Sequence, residues 1–172
     1  MKNTILITLY NEEPRIKKVL DKLKKYNLIL VNDGSTDKTL DIIKKYKNAH
    51  IISYGKNKGK GFALQKGLRY AKKAKIERLI LMDGDGQHNP SEIKKFNVML
   101  NKGYDVVIGS RFINRESNVP KIRRIILFGG KLIERLVIGI KLTDAHNGFR
   151  GLSKNAIKKI KLTENRMAYA SQ

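Results

Sequence analysis

Short apolar runs alternate with longer amphipathic segments from the N-terminus to Gly109. The apolar runs predict five strands: Ile5–Tyr10, Leu28–Val31, His50–Ser53, Leu79–Met82 and Asp105–Gly109. The amphipathic segments predict four helices: one over Glu13–Tyr26, one capped by Ser35 or Thr36, one over Phe62–Ala74 and one opened by Pro90. Short, uniformly apolar strands joined by helices are typical of an α/β fold whose parallel sheet is covered by helices on both faces.

Polar and glycine-rich segments follow all five predicted strands: residues 10–12, 32–35, 57–61, 83–88 and 109–111. Parallel strands end at the same edge of a sheet, and such sheets bind their ligands beyond the carboxyl ends of the strands. Five such segments in register therefore predict a binding site at that edge.

The most informative of these segments runs from Asp83 to His88, with the sequence DGDGQH. Asp83 and Asp85 are two residues apart in an extended chain, so they share a face. Carboxylates at this spacing suit Mg²⁺ or Mn²⁺, which in turn suits a bound diphosphate. A calcium loop is rejected, because it requires glycine at the position of His88 and glutamate at that of Lys94. A solvated Asp-Gly turn at the end of a strand is the simpler alternative.

The Gly-Lys-Gly sequence of residues 59–61 precedes a predicted helix. Backbone N–H groups in such a loop, and the helix N-terminus behind them, favour anions such as phosphate. The sequence does not match the Gly-x-x-x-x-Gly-Lys-Ser/Thr pattern, so it is not a P-loop. No Gly-x-Gly-x-x-Gly follows the first strand, which argues against a dinucleotide-binding fold.

The chain has 172 residues, no cysteine and a formal net charge of +22, from 37 Lys and Arg against 15 Asp and Glu. This length corresponds to about one domain, and the lack of cysteine excludes disulfides and thiolate zinc sites. A basic surface attracts phosphate groups. Most lysines fall in helical patterns and no aromatic residues are interleaved with them, so we expect an anionic partner but no nucleic acid.

The N-terminal run Thr4–Tyr10 is too short and too close to Lys2 for a signal peptide. No stretch reaches the roughly 18 apolar residues of a spanning helix, so we expect a cytoplasmic protein. Residues 120–142 have a helical pattern with a wide apolar arc and flanking basic residues, which predicts an amphipathic helix lying peripherally at the cytoplasmic face of an anionic membrane. The simpler alternative is a helix that packs in a further C-terminal part or in a dimer.

Six motifs occur together in one order: Tyr10–Glu13, Val31–Asp37, Gly59–Gly61, Asp83–His88, Gly109–Phe112 and Asp144–Arg150. In these motifs the chain resembles the family 2 glycosyltransferases of the GT-A fold, nearest the polyprenyl-phosphate sugar transferases typified by dolichyl-phosphate mannose synthase. The resemblance implies one GT-A domain over residues 1–172, built as a three-layer α/β sandwich with a mostly parallel central sheet. It also implies a GDP- or UDP-sugar donor and a lipid-phosphate acceptor.

The resemblance assigns roles to individual residues. The implied nucleotide-sugar site comprises Tyr10, Glu12, Asp33, Lys60 and Asp83. The implied ligands of Mg²⁺ or Mn²⁺ are Asp83, Asp85 and Gln87. The cation would stabilise charge on the leaving diphosphate in an inverting transfer.

The resemblance implies that three arginines bind the acceptor phosphate: Arg111, Arg123 and Arg150. Arg123 has a simpler interpretation as part of a basic run that opens a helix. A phosphate acceptor needs no general base; a sugar hydroxyl does, and Asp144 is then the candidate. A turn or helix cap is the simpler role of Asp144. The implied catalytic residues are therefore Asp85, Arg111 and Asp144.

The turn of residues 147–150 is expected to aim Arg150 at the site, while His88 and His146 are interpreted as hydrogen-bonding scaffold rather than metal ligands. Members of the resembled family normally continue beyond residues 165–168, so a C-terminal extension is expected to be missing. The alternative function is accordingly a truncated, catalytically weak GT-A domain that only binds nucleotide or anionic membrane.

Overall fold

The computed structural model describes residues 3–110 and 147–160 of the chain. Within these residues one sheet contains six strands: β1 Thr4–Leu9, β2 Asn27–Asp33, β3 Ala49–Tyr54, β4 Arg78–Asp83, β5 Val106–Ile108 and β6 Arg150–Ser153. The strand order is β3-β2-β1-β4-β6-β5. β6 runs antiparallel to both of its neighbours, and the remaining pairs are parallel. The carboxyl ends of the other five strands therefore lie at one edge, where β6 begins.

In the described residues five helices accompany these strands: α1 Glu13–Asp21, α2 Thr39–Ile43, α3 Lys60–Lys73, α4 Ile93–Asn101 and α5 Lys154–Lys159. A 3₁₀ turn at Pro90–Glu92 precedes α4. Helices α1, α2 and α4 pack on one face of the sheet, and α3 and α5 pack on the other. The result is the predicted three-layer sandwich with a mostly parallel sheet.

The central strand β1 contributes to both halves of the core. Ile5 and Ile7 pack on the α1 side, and Leu6 between them packs on the α3 side. All three are at most 1% exposed, and burial of each side chain stabilises the fold by about 1.5–3 kcal/mol. Gly67 of α3 allows the helix to approach closely, because a Cβ there would lie 2.3 Å from a methyl carbon of Leu6. Rigid packing on both faces thus fixes the strand ends that form the site.

Two predicted helix boundaries are wrong. α1 ends at Asp21 rather than Tyr26, because Lys22, Leu23 and Tyr26 donate their N–H groups to carbonyls three residues earlier. These tighter turns redirect the chain into β2. α2 begins at Thr39 without a side-chain cap, so the predicted cap at residues 35–36 is also wrong.

The sequence pattern did not predict β6, and residues 120–142 lie outside the described part of the chain. Among the helices of the described residues, none is long and apolar enough to cross a membrane.

Candidate active site

A cleft of about 380 Å³ opens at the carboxyl edge of β1, β2 and β4. Six of the residues predicted from the sequence line it: Tyr10, Glu12, Asp33, Lys60, Asp83 and Asp85. They come from four separate segments of the chain, which the parallel strands bring to one edge. The structure therefore brings these segments together at one edge of the sheet.

The loop after β1 is held in place by the loop after β2. Asn11 has a positive φ of 54°, its N–H donates to Ser35 Oγ at 3.0 Å, and its Oδ1 accepts from the Thr36 N–H at 2.9 Å. The N–H of Glu12 donates to Thr39 Oγ1 at 2.8 Å. Thr39 is fully buried, and the sequence analysis did not single it out. These bonds orient the two residues on either side of Asn11 toward the cleft.

Those two side chains differ in their surroundings. Tyr10 is 47% exposed and lines the cleft, so part of its side chain is accessible to a ligand there. Glu12 forms an ion pair with Arg15 of α1 at 3.2 Å. An aromatic ring and a carboxylate in this position can stack on a base and accept hydrogen bonds from a sugar.

Asp33, at the end of β2, is 3% exposed and holds the loop that precedes α3. Its two carboxylate oxygens accept from the backbone N–H groups of Lys58 and Gly59, at 2.8 and 2.9 Å. Gly59 has a φ of 94°, a conformation that favours glycine. The resemblance implied that Asp33 belongs to the nucleotide-sugar site; in the structure its hydrogen bonds also position the Gly-Lys-Gly loop.

Asp83, at the end of β4, has a partner on each oxygen. Lys60 Nζ lies 2.5 Å from Oδ1, and His88 Nε2 lies 3.4 Å from Oδ2. Burial alone would raise the pKa of Asp83, but the hydrogen bond from His88 and the charge of Lys60 outweigh it and lower the pKa to about 2. Asp83 is therefore a carboxylate at neutral pH.

The segment before β6 closes the other side of Asp83. A Cβ at Gly148 would lie 2.5 Å from Asp83 Oδ2, so only glycine fits there without movement. The His88 ring contacts the Phe149 ring with centroids 4.9 Å apart, and Phe149 in turn contacts Phe96 of α4. This contact is compatible with the interpretation of His88 as a scaffold residue.

Asp85 and Gln87 follow Asp83 in the same loop. Asp85 Oδ1 accepts from the Gln87 N–H at 2.9 Å, and Gln87 is exposed. No group of three or more His, Cys, Asp or Glu side chains that could hold a metal is found among the described residues. Two carboxylates on one cleft, with Asp83 ionised, still fit Mg²⁺ or Mn²⁺, since such ions often take their other ligands from substrate phosphates and water.

Arg150, the first residue of β6, lies close to Asp83. With Lys60, Asp83 and Gly148 it lines a small cavity of about 20 Å³, and its Nε donates to the Asn147 carbonyl at 3.0 Å. Asn147 Oδ1 accepts from the Phe149 N–H, so the chain does turn before Arg150 as predicted. The other predicted acceptor-side residues, Arg111, Arg123 and Asp144, lie outside the described residues, as does His146, which was interpreted as scaffold.

The chain is similar to known proteins in its sequence and in its fold. The family model Glycosyl transferase family 2 matches residues 4–161. A UDP-N-acetylglucosamine–dolichyl-phosphate N-acetylglucosaminyltransferase of Methanococcus voltae is 32% identical, over 90% of this chain and 70% of that protein. A dolichol-phosphate mannosyltransferase of Pyrococcus furiosus is 26% identical, over 94% of this chain and 49% of that protein. The crystal structure of S. aureus TarS matches 70% of this chain and 23% of its own, with a TM-score of 0.55 and 26% identity.

The fold and the motifs at its carboxyl edge are those of the GT-A glycosyltransferases, as the resemblance implied. The chain belongs to glycosyl transferase family 2. It spans between 49% and 73% of the length of the curated relatives that it matches.

Proposed function

We propose that this chain transfers a sugar from a nucleotide-diphosphate sugar to a polyprenyl phosphate. The observation that carries the proposal is the single cleft on which Tyr10, Asp33, Lys60, Asp83 and Asp85 meet. The chain belongs to glycosyl transferase family 2, and the names of two relatives refer to dolichyl or dolichol phosphate. The base and the sugar of the donor are left open between GDP- and UDP-sugars.

In this proposal the donor lies along the cleft with its nucleoside near Tyr10 and Glu12 and its diphosphate near the loop that Asp33 holds. The backbone at the start of α3 and the ammonium of Lys60 favour an anion at that point. The candidate ligands of Mg²⁺ or Mn²⁺ are Asp83, Asp85 and Gln87. When bound, the cation supplies Lewis-acid stabilisation of the leaving diphosphate.

The acceptor phosphate attacks the anomeric carbon in one displacement, which inverts the configuration. A bond forms between that carbon and a phosphate oxygen, the bond to the diphosphate breaks, and a nucleoside diphosphate leaves. Phosphate is already an anion, so a general base is not required. Arg150, beside Asp83, is proposed as one of the cations that hold it, together with Arg111 and Arg123.

The strongly basic chain and the pattern of residues 120–142 support action at an anionic membrane surface on the cytoplasmic side. This location is part of the proposal, because a polyprenyl phosphate is anchored in a membrane by its lipid chain.

The test is a transfer assay with the purified chain, Mn²⁺, farnesyl phosphate and each of UDP-glucose, UDP-N-acetylglucosamine and GDP-mannose. We expect a glycosyl-phosphoryl-farnesol, identified by mass spectrometry, with one donor. Farnesol replaces farnesyl phosphate as the matched acceptor without a phosphate. Nucleotide binding with no product from any donor would indicate a domain that only binds nucleotide. Product from farnesol would favour a hydroxyl acceptor with Asp144 as base.

A further inference from the structure

Lys60 occupies one of the positions at Asp83 from which a metal ion could be bound. Its Nζ lies 2.5 Å from Asp83 Oδ1, His88 stands at Oδ2, and Gly148 closes the space behind Oδ2. Within the described residues, the Asp83 carboxylate therefore contacts the side-chain nitrogens of Lys60 and His88 and lies against the backbone of Gly148. A divalent cation that binds Oδ1 on the side held by Lys60 displaces its ammonium.

The side chain of Lys60 can also reach an anion bound at the start of α3. It is the first residue of α3, its side chain is 34% exposed, and it lines the cleft next to the Gly59 backbone. Its four-carbon side chain is flexible and carries a compact charge. An anion bound at the start of α3 would lie within reach of that ammonium.

We propose that Lys60 couples metal binding to diphosphate binding, by leaving Asp83 for the donor diphosphate when the metal takes its place. This inference rests on the proposed function, because it requires a metal-dependent nucleotide site. A metal ion alone breaks the ion pair between Lys60 and Asp83 and supplies no new anion in exchange. When a metal ion and a nucleoside diphosphate bind together, Lys60 exchanges its ion pair with Asp83 for an ion pair with the diphosphate.

Such coupling is reciprocal. If the diphosphate raises the affinity for the metal, the metal raises the affinity for the diphosphate by the same factor, commonly 5- to 150-fold. Lys60 is therefore a positioning residue with opposite effects on two ligands: it weakens binding of the metal alone and strengthens binding of the metal and nucleotide together.

The experiment measures Mn²⁺ binding by calorimetry, with and without UDP or GDP, in the wild type and in Lys60→Met. We expect Lys60→Met to bind Mn²⁺ alone about 10-fold more tightly, and to bind the nucleotide in the presence of Mn²⁺ about 10-fold more weakly. Loss of structure cannot raise metal affinity, so the first result separates the coupling role from a structural one. Lys60→Arg, which keeps the charge, should retain the coupling.

Lys66→Met is the matched control. Lys66 lies on the same helix over the ring of Phe62, and it does not line the cleft. This variant should bind Mn²⁺ and nucleotide as the wild type does. Tighter Mn²⁺ binding in both variants would attribute the effect to net charge and overturn the inference.

Two failures are distinguishable. Unchanged Mn²⁺ affinity in Lys60→Met, with Mn²⁺-dependent nucleotide binding intact in the wild type, overturns the coupling and leaves the proposed function standing. If the wild type binds neither UDP nor GDP with Mn²⁺, the proposed donor site itself is wrong, and the coupling falls with it.

Discussion

The carboxylate of Asp83 lies against the α-carbon of Gly148, so the end of β4 and the approach to β6 fit together only because residue 148 has no side chain. A Cβ added at Gly148 would stand 2.5 Å from Asp83 Oδ2 and 2.8 Å from Oδ1. Asp83 cannot easily yield, since Lys60 and His88 hold its two oxygens. The contact joins the predicted metal ligand to the segment that carries Arg150.

The first prediction concerns this contact. Gly148→Ala should push the Asp83 carboxylate out of place and weaken Mn²⁺-dependent nucleotide binding by about 10-fold, equivalent to about 1.4 kcal/mol. Calorimetric titration with UDP and GDP measures the effect. Gly55→Ala is the matched control, because a Cβ at Gly55 meets nothing within 4 Å. Equal nucleotide affinity in the wild type and both variants would show that the position of Asp83 does not matter for the donor.

The second prediction concerns Asp85. Asp85→Asn should abolish Mn²⁺-dependent nucleotide binding and leave the fold intact, because the amide cannot replace a carboxylate ligand and Asp85 is not in the core. Calorimetry gives the affinity and thermal melting reports the fold. Asp41→Asn, on the exposed side of α2, changes the charge equally away from the cleft. Nucleotide affinity unchanged in the Asp85 variant would remove it from the set of metal ligands.

The third prediction concerns Asp33. Asp33→Asn leaves one of the two part-buried loop N–H groups without its acceptor, which costs about 1 kcal/mol. Urea denaturation should show this loss in the free energy of unfolding, and nucleotide affinity should fall because the loop before α3 is no longer held. A variant that lost nucleotide binding at full stability would instead indicate that Asp33 acts mainly by direct contact with the nucleoside.

The fourth prediction concerns pH. Because the pKa of Asp83 is lowered from 3.8 to about 2, the unfolded chain binds more protons than the folded chain between these values. The ionisation of Asp83 therefore stabilises the fold above about pH 4, by up to about 2 kcal/mol. This stabilisation is lost as the pH falls toward 2.

Urea unfolding of the wild type and Asp83→Asn at pH 5 and pH 3 measures this dependence. The stability difference between the two proteins should be smaller at pH 3 by about 1 kcal/mol. A difference that is constant over this range would mean that Lys60 and His88 do not hold Asp83 ionised in solution.

All five predicted strands are present in the described residues, and three of them are buried on both faces. The central residues of β1, β2 and β4 are apolar and buried, because each strand lies between two helical layers. β6 has the sequence Arg-Gly-Leu-Ser, in which only Leu152 is a large apolar residue. It is a strand because β4 and β5 supply hydrogen-bonding partners on both sides, which no local pattern in the sequence reports.

The sequence by itself determined that polar residues would gather at one edge, since parallel strands with apolar interiors must place the residues that follow them there. It did not determine the contacts among those residues. The bonds from Asp33 to the backbone at Lys58 and Gly59, and the contacts of Asp83 with Lys60 and Gly148, join positions far apart in the chain. Only the tertiary structure decided these partners, because each contact depends on the register of two strands and the path of the loop between them to within an ångström, whereas the hydrophobic pattern specifies only which face of an element is buried.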